Sequence, residues 1–214
     1  MDQAPDTAGD RRSPAKRRTI LEAATELFLN EGYARVSVDA IAARAGVGKQ
    51  TVYSHFGNKE RLFLAVVDRA RATAGAGPDG LAGLIPDTGD PQADLAAVGD
   101  RILRAVLEPS VAALHRLTVA ELTHHPELQR SWGETAPEEA LDALAGYLAE
   151  ASRVGRLNVP DPARAARQFV LLLATEGRVR SLHGTQPLTD TERHEIAHET
   201  AELIVRAHHR ETSL

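Results

Sequence analysis

Polar side chains are frequent at positions 49 to 55, and their chemistry suits binding to nucleic acid. Lys49 is cationic, Gln50 carries an amide, and Tyr53 carries an aromatic hydroxyl. Cationic and hydroxyl groups bind phosphates, and a glutamine can form two hydrogen bonds with the edge of an adenine. On a helix short enough to enter the major groove, these side chains predict contact with DNA. The plainer alternative is an ordinary solvated helix face.

Two short helices joined by a glycine turn would position these side chains. In the segment 37–56, Ile41 is the apolar residue of the first helix. Gly46 can adopt the left-handed conformation that a sharp turn between helices requires. Val52 and Phe56 supply inward positions on the second helix, which leaves the polar residues on its outer face.

Residues 17–67 resemble the N-terminal DNA-binding domain of the TetR family of bacterial repressors. The resemblance is carried by the ordered run RRTILEAATELFLNEGYARVSVDAIAARAGVGKQTVYSHFGNKERLFLAVV, which is far longer than a lone glycine turn. It implies a three-helix domain with a helix-turn-helix, and DNA contacts from one set of residues. That set is Ser37, Gly48, Lys49, Gln50, Thr51, Tyr53, His55 and Lys59.

Two positions depart from the family's usual pattern. A small residue usually stands where this chain has Gln50, so Gln50 is the best candidate for direct reading of a base. Serine or threonine often stands where this chain has Gly48. Glycine still permits a helix cap, but it removes a hydroxyl that could hold a phosphate.

The second half of the chain resembles the ligand-binding and dimerising domain of the same family, in its AefR-like subtype. The stretches LHRLTVAELTHHPELQRSW and VGRLNVPDPARAARQFVLLL carry this resemblance. It implies a homodimer formed through the last two long helices and a pocket for a small effector. Candidate pocket residues are aromatic side chains and polar interruptions of apolar helices: His115, Glu121, Trp132, Tyr147, Phe169 and Glu176. Core packing is the alternative interpretation of the three aromatic residues.

Charge is distributed unevenly along the chain. The net charge is −5, but residues 11–71 hold twelve Lys/Arg against six Asp/Glu, a balance of +6. Residues 72–214 hold thirteen against twenty-one, a balance of −8. The cationic part coincides with the helix-turn-helix, as expected for a DNA-binding domain.

These patterns predict an all-α chain with three parts. Residues 1–16 form a flexible arm, 17–66 the helix-turn-helix domain, and 67–214 the ligand-binding and dimerisation domain. Hydrophobic periodicity is helical throughout, and alternating strand patterns are absent. The arm carries basic residues that either reach DNA phosphates or belong to a solvated tail.

Composition excludes several classes of protein. The chain has no cysteine, so disulfides and thiolate chemistry are excluded. No apolar run approaches the roughly 20 residues of a membrane span, and the N-terminus lacks the apolar segment of a signal peptide. We expect a cytoplasmic protein without a membrane partner, cofactor or metal.

One short motif, His194-Glu195-Ile196-Ala197-His198, matches the HExxH pattern of zinc proteases. A catalytic zinc also needs a third protein ligand, and the spacing after His198 places Ala201 and Ile204 where related proteases have glycine and histidine. We therefore expect no enzyme, and a zinc hydrolase acting through His194, Glu195 and His198 is the remote alternative.

The sequence is best explained by a homodimeric DNA-binding transcriptional regulator. Family resemblance favours a repressor that a small, largely apolar effector releases from operator DNA. A ligand-independent regulator or an activator is the other alternative that the sequence leaves open.

Overall fold

The computed structural model describes residues 13–75, 85–126 and 138–209. Within these ranges the chain forms nine helices and no strand, which confirms the predicted all-α class. The helices are α1 (Pro14–Glu31), α2 (Val38–Ala45), α3 (Lys49–Phe56), α4 (Lys59–Gly75), α5 (Pro91–Val106), α6 (Pro109–Glu121), α7 (Glu138–Arg153), α8 (Pro162–Arg180) and α9 (Asp190–Ala207).

Several helices begin at side-chain caps that the sequence signals. The Oγ atom of Ser37 accepts a hydrogen bond from the backbone N–H of Ala40 at the start of α2. Thr189 and Glu192 form a reciprocal capping box at the start of α9. Asp161 caps α8 in a similar way, with Pro162 in the first turn.

The described chain divides into two compact units. Of the described residues, one unit holds 13–69 and 113–126, and the other holds 70–75, 85–112 and 138–209. The described segment 113–126 groups with the N-terminal helices, and the domain boundary after residue 66 stays a prediction.

In the first unit an aromatic cluster holds the DNA-binding helices together. The ring centroids of Phe28 and Phe63 lie 5.2 Å apart at an edge-to-face angle, and Tyr33 lies 5.0 Å from Phe63. All three side chains are almost completely buried. Edge-to-face aromatic pairs add stability beyond the area that they bury.

In the second unit the core is aliphatic and tightly packed. Gly99 of α5 lies against Leu173 of α8 and Ala197 of α9, and a methyl group at Gly99 would come within 3.2 Å of Ala197. The small residues Gly99 and Ala197 let α5 and α9 pack closely against each other, and Leu173 of α8 packs against the same point. Phe169 is the one aromatic residue that is fully buried in this core.

The described structure differs from the predicted flexible arm at its end. α1 begins at Pro14, so positions 14–16 of the predicted flexible arm are helical. α8 ends at Arg180, and two of the next three residues, Leu182 and His183, adopt positive φ angles of 47° and 57°. No helix in the described ranges is both long enough and apolar enough to cross a membrane.

Candidate nucleic-acid interface

The turn between α2 and α3 presents the polar face of α3 to solvent. Gly46 adopts a left-handed conformation with φ 67°, and Val52 and Phe56 turn into the core of the first unit. Gln50 is consequently exposed, and Tyr53 is 38% exposed. This is the geometry of a helix-turn-helix whose second helix is free to enter a groove of DNA.

Lys49, at the start of α3, forms an ion pair that the sequence patterns did not reveal. Its Nζ atom lies 2.9 Å from Oδ2 of Asp39 on α2. This hydrogen bond raises the pKa of Lys49 above its usual value, so the side chain is charged at neutral pH. A phosphate would have to compete with Asp39 for the ammonium group, and Asp39 itself would repel DNA.

The first turn of α3 leaves backbone donors available. Gly48 is the N-cap residue, and no side chain caps this end of the helix. The N–H groups of a helix's first turn have no partner within the helix, which makes such an end attractive to phosphate oxygens. The N–H of Thr51 already donates to the carbonyl oxygen of Gly48 at 2.8 Å, so a phosphate at this end would be bound by the N–H groups that precede Thr51.

Lys59 takes part in the internal structure of the first unit. Its Nζ atom donates hydrogen bonds to the carbonyl oxygens of Tyr33 (2.9 Å) and Val36 (3.1 Å), and it lies 4.3 Å from the centroid of the Tyr33 ring. Burial lowers the pKa of Lys59, although Glu121 counteracts the effect. The ammonium group of Lys59 has three N–H donors, and these two hydrogen bonds use two of them. The third N–H could donate to the predicted phosphate.

The remaining predicted contacts lie on the same unit. Ser37 is exposed, and its Oγ atom is already the acceptor of the α2 cap, so only its proton is available for a phosphate. His55 is half-buried beside the Phe56 ring, with the ring centroids 6.0 Å apart.

Neighbouring basic residues are largely engaged within the unit. The guanidinium of Arg17 lies over the ring of Phe56 at 5.2 Å. Arg44 forms two hydrogen bonds with the carboxylate of Glu26, at 2.7 and 2.6 Å, and so ties α2 to α1. Arg11 and Arg12 of the predicted basic arm lie outside the described residues.

The residues predicted to line the effector pocket are divided between the two units. His115 and Glu121 belong to the first unit, and Trp132 lies outside the described residues. Phe169 is fully buried in the second unit's core, and Glu176 lies near Arg180 on the surface of α8, with a closest N–O distance of 3.8 Å.

Tyr147 takes part in a polar network that the sequence did not predict. Its hydroxyl donates to Oδ2 of Asp94 at 2.7 Å, and burial together with this bond raises the pKa of Tyr147. Asp94 is completely buried, and it also accepts hydrogen bonds from the backbone N–H and the hydroxyl of Thr88. The network joins the segment before α5 to α7.

The HExxH motif lies on the exposed side of α9. The Nδ1 atom of His194 is 2.6 Å from the carbonyl oxygen of Asp190, and Nε2 of His198 is 3.2 Å from the amide nitrogen of Gln92. An open groove of about 740 Å³ follows this side of the helix. Among the described residues no group of three or more His, Cys, Asp or Glu side chains could hold a metal ion.

The fold and the exposed α3 define a helix-turn-helix DNA-binding protein, and comparison with known proteins identifies its family. Residues 20–66 match the family described as bacterial regulatory proteins, tetR family. Residues 93–210 match the C-terminal domain of AefR-like transcriptional repressors. The chain belongs to the TetR family, whose members are DNA-binding transcriptional regulators rather than enzymes.

Individual relatives agree with this assignment. The HTH-type transcriptional repressor Rv1474c of Mycobacterium tuberculosis is 26% identical over 175 residues, which cover 81% of this chain and 86% of the relative. The HTH-type transcriptional activator FasR of Mycolicibacterium smegmatis is 46% identical over 54 residues, only 25% of either chain. The solved structure of the flavonoid-responsive regulator FrrA is similar with a TM-score of 0.73 and 26% identity, over 92% of this chain and 100% of FrrA.

Proposed function

We propose that this protein is a homodimeric transcriptional repressor that a small, largely apolar effector releases from operator DNA. Each protomer would place its α3 in one of two successive major grooves, about 34 Å apart. Repression is favoured by the AefR-like repressor domain over 93–210 and by the name of the relative Rv1474c. The relative FasR is named an activator, so activation is the second candidate.

The proposed homodimer is supported by one observation. Helices α8 and α9 leave large apolar side chains exposed. Leu171 is 54% exposed, Val179 60% and Leu203 56%, although each lies on a long, well-formed helix. Large apolar side chains exposed on two helices that contact each other are typical of surfaces that pair with another protein. Since the face belongs to the last two long helices, a second copy of the chain is the partner we propose.

The effector would act by shifting the protein between two arrangements of the DNA-binding domains. A ligand can shift such an equilibrium only through its difference in affinity for the two states. The effector must therefore weaken operator binding by the factor by which operator weakens effector binding. The effector pocket remains a proposal, and of the residues predicted to line it Tyr147, Phe169 and Glu176 lie in the second unit.

A reporter experiment tests this function. An operator can be selected from randomised duplexes with the purified protein and placed over a promoter. Expression of the protein should lower reporter output, and an inducing compound should restore it. A rise in output on expression of the protein would instead establish activation. Full DNA binding in the presence of every compound that binds the protein would contradict release by an effector.

A further inference from the structure

Two arginines lie beside the C-terminal end of α3, and neither belongs to the set of DNA contacts that the family resemblance implies. The first is Arg17, near the start of α1. Its guanidinium carbon lies 5.2 Å from the centroid of the Phe56 ring, and Phe56 is the last residue of α3. Because the guanidinium rests on the ring by its flat face, the N–H groups at its edge stay available to another partner.

The second arginine, Arg61, reaches the same end of α3 from the first turn of α4. Its backbone N–H donates to Oδ1 of Asn58 at 2.8 Å, which fixes the start of this helix. A Cβ atom added to Gly57, the residue that caps the C-terminus of α3, would lie 3.4 Å from Nη1 and 3.7 Å from Cδ of Arg61. Glycine at this position therefore leaves room for the arginine side chain beside the end of α3.

Both arginines are exposed, and within the described ranges neither forms an ion pair with a carboxylate. Other cations of the first unit differ in this respect, because four of them are paired with acidic side chains: Arg18, Arg44, Lys49 and Arg69. A phosphate that binds Arg17 or Arg61 displaces no carboxylate. Lys49, by contrast, must first leave Asp39.

The position of the two arginines matters because the ends of a helix differ in charge. The C-terminal end of a helix carries a partial negative charge, so α3 alone would repel a phosphate there, whereas its N-terminal end would attract one. A helix of eight residues is about 12 Å long, similar to the roughly 12 Å width of the major groove. When α3 lies across the groove, its two ends approach phosphates of opposite strands, and the C-terminal end needs cations to bind them.

We infer that Arg17 and Arg61 bind backbone phosphates of the DNA strand that faces the C-terminal end of α3. The other strand is left to the backbone N–H groups and Lys49 at the N-terminal end. These contacts would position α3 in the groove without reading the sequence. The inference requires only DNA binding, and it is independent of the proposed effector and of whether the protein represses or activates.

The test measures DNA affinity by fluorescence anisotropy, with the selected operator and a random duplex at several salt concentrations. Arg17→Gln and Arg61→Gln should each bind both duplexes roughly tenfold more weakly at 0.05 M salt, and each should lower the salt dependence by about one charge per half-site. Arg17→Lys and Arg61→Lys retain the charge and should retain most of the affinity. Arg167→Gln removes the same charge from an exposed position of the second unit and should bind as the wild type does.

A second measurement separates phosphate binding from a structural role, because cations near a helix C-terminus also stabilise the helix. Without DNA, Arg17→Gln and Arg61→Gln should melt close to the temperature of the wild type. A lower melting temperature with an unchanged salt dependence would assign the arginines to helix stability and overturn the inference. Wild-type affinity for both duplexes in the double variant would also overturn it, as would a loss of affinity confined to the operator. A reporter that shows activation would change the proposed function and leave these phosphate contacts in place.

Discussion

The two units of this chain both bury apolar side chains, but they expose different kinds of side chain on the helices compared here. In the first unit the aromatic residues Phe28, Tyr33 and Phe63 are buried, and polar side chains such as Gln50 cover the surface of α3. In the second unit the surface of α8 and α9 carries exposed leucines and valine, while Asp94 is completely buried. A polar exposed helix suits a hydrated, charged partner such as DNA, and an apolar exposed face suits a second protein chain.

The aromatic cluster should be the most sensitive point of the first unit. Phe63→Ala removes a fully buried ring that contacts Phe28 and Tyr33, so it should cost about 3–5 kcal/mol of stability. Chemical denaturation followed by circular dichroism measures this loss. Phe63→Leu retains most of the apolar volume and should cost much less; equal losses for both variants would contradict a role for ring packing.

The apolar face of the second unit should be needed for dimerisation. Leu203→Arg or Leu172→Arg would place an unpaired charge in the proposed interface and weaken the dimer by about 3–5 kcal/mol. Light scattering at micromolar concentration reports the change in mass. Val154→Arg alters an exposed apolar residue that follows α7, and its dimer should persist. A monomeric wild type would refute the proposed homodimer.

The polar network should stabilise the second unit by a smaller amount. Asp94→Ala removes the acceptor of Tyr147 and Thr88, leaving buried donors unpaired at a cost of about 1–3 kcal/mol. Thermal unfolding measures the loss, with Asp142→Ala, an exposed aspartate of α7, as the matched control. If both variants unfold at the same temperature, the network does not contribute to stability.

Two glycines should respond in opposite ways to the same substitution. Gly46→Ala forces an alanine into the left-handed region of the helix-turn-helix and should destabilise the protein by about 1 kcal/mol. Gly146→Ala, at an exposed position inside α7 with no neighbour within 4 Å, should stabilise it by roughly 0.5–1 kcal/mol. Urea unfolding compares the two, and a shift of both in one direction would contradict these backbone assignments.

The sequence predicted the first unit in more detail than the second, and the physical reason is the range of the interactions. Turn and cap residues such as Gly46 and Ser37 act on neighbours within a few positions, so their pattern is visible in the sequence. The Lys49–Asp39 pair and the Asp94–Tyr147 bond join different helices, and periodicity carries no information about which side chains meet. The positive φ angle of Leu182 after α8 is another feature that the sequence does not signal, because leucine rarely adopts it.

We expect α3 to make two kinds of DNA contact, one to a base and one to a phosphate, and mutations should separate them. Gln50 would read a base, whereas Lys49 would contact only phosphate after it leaves Asp39. Gln50→Ala should therefore lower the preference for the selected operator over random DNA, by about 1–3 kcal/mol. Lys49→Ala should weaken binding to both duplexes and reduce the salt dependence by roughly one charge per half-site.

The most direct test is a fluorescence-anisotropy titration of the selected operator and a random duplex at several salt concentrations. The wild type, Gln50→Ala, Lys49→Ala and Asp39→Asn are compared under the same conditions. We expect Gln50→Ala to lose specificity, Lys49→Ala to lose affinity for both duplexes, and Asp39→Asn to gain affinity for both because it frees Lys49. Unchanged binding of both duplexes by the Gln50 and Lys49 variants would contradict the assignment of α3 as the DNA-recognition helix.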